Sequence, residues 1–125
     1  MELGYISKAI DIDKENEISN HQYNKMRRKH RKKLIDLAKE DQDFDYEYLH
    51  NLVVVKLKNM YEFYSQGHAE FLAESDLNQI LKTIEHAINI SDKIDMVPEP
   101  TRVKELYQEF YEYIGQNIML WWYWT

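Results

Sequence analysis

YEYLHNLVVVKLKNMYEFYSQG, residues 46–67, is the stretch from which the fold class is read. Tyr46, Leu49, Leu52, Val53, Leu57, Met60, Phe63 and Tyr64 recur at intervals of three and four, the period that gathers side chains on one side of an α-helix. Gly67 stands where a left-handed residue would end that helix, since glycine takes positive φ at no steric cost. Asp43 or Asp45 is the expected N-terminal cap.

The same period extends in both directions. Upstream, Ser19 caps a run in which Tyr23, Met26, His30, Leu34, Leu37 and Ala38 share one face, predicting a helix over about residues 20–40. KEDQDFD, residues 39–45, connects the two. Residues 1–18 carry no sustained period; Tyr5, Ile6, Ala9, Ile10 and Ile12 fit a short helix or an extended arm. Downstream, residues 68–74 read equally as a loop or an early helical turn, and Ser75 or Asp76 opens a third run. Its stripe is Leu77, Ile80, Leu81, Ile84, Ala87, Ile88, Ser91 and Ile94. Val97-Pro98-Glu99-Pro100 must break that helix, because a proline restricts the residue before it and donates no hydrogen bond. Thr101 is expected to cap a fourth helix whose stripe is Val103, Leu106, Tyr107, Phe110, Ile114, Ile118 and Trp121, running to the WWYWT end. The expected fold is all-α: a compact antiparallel bundle of about four helices over residues 19–125, behind a short N-terminal arm over residues 1–18.

Composition agrees. Three glycines and two prolines are too few for the many turns of a β-protein of 125 residues. The absence of cysteine removes disulfides, thiolate metal sites and cysteine nucleophiles. No run of 18 or more apolar residues is present, and the acidic start MELGYISKAIDIDKENE is unlike a signal peptide, so the expected location is cytoplasmic, away from membranes. The net charge of −6 conceals an asymmetry: KMRRKHRKK, Lys25 to Lys33, holds seven of the sixteen basic residues, leaving nine against 22 acidic residues elsewhere. A local basic site on an acidic body disfavours wrapping of duplex nucleic acid and leaves room for one compact anion.

Within that segment Lys25, Arg28, Lys29 and Lys32 project away from the apolar stripe, whereas Arg27 and Arg31 lie one turn apart on its shoulder. Arginine grips phosphate through a planar fork, and two at i, i+4 can share one phosphate or adjacent ones. Arg27 and Arg31, with His30, Arg28 and Tyr23 beside them, are the candidate ligand-binding residues; a solvated helix face or a contact for an acidic protein patch are the competing readings. A second cluster is aromatic, with eight of the seventeen aromatic residues between Tyr107 and Trp124. Trp121-Trp122-Tyr123-Trp124 cannot all face one side of a helix, so Trp121, Trp122 and Trp124 are the candidate interface of a homo-oligomer, against core packing or a stacking platform for bases. Glu47 and His50 form an E-x-x-H pair, but a carboxylate-bridged dimetal site needs a second pair and further carboxylates, so no metal or other cofactor is expected. No serine sits in a G-x-S-x-G elbow and no glycine loop is placed to cradle phosphate, so no catalytic residue is expected and the chain is read as non-enzymatic.

Four motifs carry a resemblance. RKHRKKLIDLAK (residues 28–39), FDYEYLxxL (44–52) joined to KLKNMYEFYSQG (56–67), the helix that follows, and QNIMLWW (116–122) together resemble small helical proteins of tailed bacteriophages, a group without a settled activity. Phe44, where tryptophan is expected, and Tyr123, where an acidic residue is expected, depart from that pattern. The resemblance implies a phage origin, action in the host cytoplasm and a counter-defence role. That role would be a sponge for a phosphate-bearing nucleotide signal, or else an inhibitor docking on a host defence protein or a structural component.

Overall fold

A computed structural model describes residues 6–43, 45–69 and 72–122. Four α-helices account for most of them: α1 (Ile6–Ala38), α2 (Tyr46–Ser65), α3 (Glu74–Ile94) and α4 (Pro100–Asn117), with a 3₁₀ turn at Ile118–Leu120 and no strand among the described residues. The all-α expectation holds. The chain divides into two units, one ending at Asp41 and the other beginning at Gln42.

The first unit is α1, a single helix of 33 residues and about 50 Å. It starts at Ile6, well before the expected start near residue 20, and passes without a break through residues 18 and 19. Tyr23, Met26, His30, Leu34 and Leu37 form its less exposed side, as the spacing predicts.

The second unit is built on α3. Asp45 caps α2 by accepting a hydrogen bond from the Glu47 amide at 2.9 Å, and Gly67, at φ +79°, follows its last turn. α3 begins at Glu74 behind Ala73, which offers no side-chain cap. α4 begins with Pro100 in the first turn behind Glu99, where a missing N–H costs nothing, so Thr101 lies inside the helix instead of capping it. α2 and α4 each pack against α3, and both run antiparallel to it. His50 near the start of α2 meets Ser91 near the end of α3, while His86 and Thr83 of α3 meet Tyr113 and Trp121 in turn. Ile80, Ile84, Ala87, Ile90, Leu106 and Phe110 are buried at the centre.

α4 stops short of the expected end. The helix gives way at Asn117, whose side-chain amide donates to the Tyr113 carbonyl at 2.9 Å and competes with the helical ladder. Trp121 then leaves helical geometry altogether, at φ −85° and ψ 62°, and its indole N–H donates to Thr83 Oγ1 at 2.8 Å. That hydrogen bond satisfies the polar edge of a ring that is only 7 % exposed.

Ile84 is fully buried where α3 meets its neighbours, so Ile84→Ala should cost about 2–5 kcal/mol through lost burial and an unfilled cavity. Met119, 90 % exposed, is the control: Met119→Ala should change stability by no more than about 0.5 kcal/mol. Urea denaturation midpoints of the two variants check the contrast.

Candidate functional site

The basic segment lies wholly within α1. Arg27, Arg28 and Arg31 are exposed, as are Lys25, Lys29, Lys32 and Lys33. Arg27 folds back over Tyr23, four residues earlier, with its guanidinium carbon 5.7 Å from the ring centroid. Cβ atoms one turn apart on a helix are about 5–6 Å from each other, so Arg27 and Arg31 can reach one phosphate group between them. His30 is placed differently from the arginines. It is half-buried and its Nε2 is covered from solvent, so a ligand arriving at the arginines meets the edge of the ring at most.

The three tryptophans separate. Trp121 is part of this chain's own core and Trp122 is 58 % exposed; Trp124 lies outside the described residues. Beside Trp122, Ile118 and Met119 are also exposed. An apolar patch therefore occurs at the end of α4, without Trp121.

Between α2 and α4 lies a polar knot. His50 is buried on the line His50, Leu57, Tyr64 that turns α2 toward α3. Its Nε2 is 2.8 Å from Ser91 Oγ and its Nδ1 is 3.0 Å from the Tyr111 hydroxyl. Tyr107, Phe110 and Tyr111 surround the ring edge-on, at centroid distances of 4.9, 4.8 and 5.8 Å. A neutral imidazole has one donor and one acceptor, so it satisfies two hydroxyls at once, one giving and one taking. Burial lowers the His50 pKa, with Asp95 opposing as the lesser effect. Glu47, the other half of the E-x-x-H pair, is exposed and its amide is taken by the Asp45 cap. Ser91 and His50 are at the distance of a nucleophile and its base, yet Ser91 is buried. The arrangement fixes packing. The sequence held a signal for it: two polar residues, His50 and Ser91, stand within otherwise apolar stripes.

Further along the same two helices the space between them stays open as a groove of about 310 Å³. Leu57 and Trp121 form its buried floor. Leu52, Val53 and Met60 of α2 and Ile114 of α4 wall it, and Lys56 and Ile118 stand exposed at its mouth. Lys56 is the one charged residue of the lining, and no carboxylate among the described residues pairs with it. Periodicity marks these residues only as helix faces, because the opening depends on how far apart α2 and α4 stand. Among the described residues no group of three histidines or carboxylates could hold a metal ion, and no helix is long and apolar enough to cross a membrane.

The lowered His50 pKa fixes the sign of a pH effect. The unfolded chain takes up a proton on this residue near pH 6.5, whereas the folded protein resists protonation until lower pH. Stability from this residue is therefore complete above pH 6.5 and is lost as the pH falls below it. Melting temperatures from pH 8 to pH 5 should fall less steeply in His50→Phe than in the unaltered chain. The variant should also be less stable at pH 8, because Ser91 loses a buried partner.

No family model, curated protein or solved structure matches this chain.

Proposed function

We propose that the chain is a binding protein without turnover, and that the basic segment of α1 takes a phosphate-bearing ligand of nucleotide type. The observation that carries this reading is the concentration of seven cations between Lys25 and Lys33, with Arg27, Arg28 and Arg31 exposed on one helix and Arg27 held against Tyr23. An arginine leaning on a tyrosine has fewer conformations to lose when it grips an oxyanion, and the same ring offers a face to a base. Two arginines one turn apart match a phosphate or a pair of phosphates. The burial of Ser91 beside His50 supports a reading in which the ligand is held and not cleaved. The resemblance to small phage proteins supplies the setting, sequestration of a nucleotide signal in a host cell.

A second reading is favoured by the exposed side of α4. Glu105, Glu109 and Glu112 are all exposed and succeed one another along that helix, and Ile118, Met119 and Trp122 lie beyond its end. Such a surface suits docking on a host protein, or on further copies of the chain, in place of binding a nucleotide.

Thermal denaturation against a panel of mono-, di- and cyclic oligonucleotides separates the two. A ligand present at about 100 times its dissociation constant adds about 2.7 kcal/mol to stability and raises the midpoint by several degrees. The Arg27→Ala, Arg31→Ala double variant should lose that shift and keep the unliganded midpoint within about 2 °C. No shift with any nucleotide abandons the α1 reading in favour of protein docking, and an equal shift in both proteins moves the site away from these arginines.

A further inference from the structure

α2 and α4 stand apart across α3, and the described residues fill the space between them at only one end. Around His50 three aromatic rings and two hydroxyls occupy it; toward Trp121 it remains a groove of about 310 Å³. We infer that this groove is a binding site for a free amphipathic carboxylate, with its aliphatic body on Leu57 and Trp121 and its headgroup at Lys56.

Three observations select that occupant. The volume falls in the range of about 300–1,000 Å³ usual for small-molecule sites. The lining is almost wholly apolar, and the Trp121 indole N–H is already committed to Thr83. A polar molecule would lose its hydration there and find no partner. The single cation stands at the mouth, unpaired among the described residues, so charge complementarity asks for one negative group at the end of an apolar body. A second copy of the chain is the competing occupant, and sedimentation distinguishes it.

The site lies on other helices than the basic segment, so the test separates the two. In isothermal titration of the full chain, dodecanoate below its micelle-forming concentration is expected to bind saturably, one molecule per chain. Dodecyltrimethylammonium, with the same tail and the opposite charge, is expected to bind roughly fivefold more weakly at low ionic strength, a preference that salt erodes. Lys56→Glu, at an exposed position where the fold is indifferent, should reverse that order, and the Arg27→Ala, Arg31→Ala double variant should leave it intact. Absence of saturable binding overturns the inference, as does the same order of headgroups in Lys56→Glu. Sedimentation of the unliganded chain as a dimer that Ile118→Glu dissociates also overturns it, since the groove is then covered by a second copy.

Discussion

One helix has to serve two neighbours. α3 carries a stripe wide enough to be buried on both shoulders. Ile80, Ile84, Ala87, Ser91 and Ile94 run down its middle, Thr83 and Ile90 lie to one side, and Leu77, Leu81 and Ile88 to the other. α2 and α4 both depend on this stripe for their main burial, and neither packs closely on the other's backbone. Burial of apolar area is the largest favourable contribution available to a chain of this size, so whatever seats α3 decides the geometry of the whole unit. The small side chains at Ala87 and Ser91 let large neighbours approach the stripe. Phe110 is fully buried, and His50 comes within 2.8 Å of the Ser91 hydroxyl.

Two helices laid on one helix leave a cleft between them, and the chain treats its two ends differently. At the His50 end the filler is aromatic and polar together. An imidazole between two hydroxyls, ringed edge-on by Tyr107, Phe110 and Tyr111, closes the space while satisfying both of its nitrogens. A leucine there would fill volume and leave Ser91 without its partner, whereas the knot ties α2, α3 and α4 at one level and resists sliding of any of them. At the other end the chain abandons the helix after Asn117 so that Trp121 can reach Thr83. That choice builds the floor of the groove.

The helices and their packing partners were legible because periodicity is a property of neighbours in sequence. Leu57, Tyr64, Ile80, Ile84, Leu106 and Phe110 all announce their burial by spacing alone. Ends were less legible, since they turn on a competition of one or two hydrogen bonds. Asn117 bonds back to the Tyr113 carbonyl where α4 ends, and Pro100 takes the first turn from Thr101. α1 reaches back to Ile6, through residues whose mixed composition hides any stripe. Trp121 falls on the apolar stripe of α4 by spacing and is buried as that stripe predicts, although a 3₁₀ turn and not a continued helix delivers it, while Trp122 beside it is exposed. The groove had no signature at all, because it is the distance between two faces and not a pattern on either.

Charge placement bears on what the basic segment can hold. Lys25 to Lys33 spans about 12 Å of helix, about one and a half times the screening length of about 8 Å at physiological ionic strength. On the proposed reading, an anion of comparable size would meet the seven cations of this segment together. A long polyanion cannot be so selective. Its successive phosphates would extend past the segment, into a chain whose remaining residues are 22 acidic against nine basic, a balance that is repulsive on average. On the proposed reading, seven cations on one segment of a chain of net charge −6 would favour a compact, multiply charged anion over a long one.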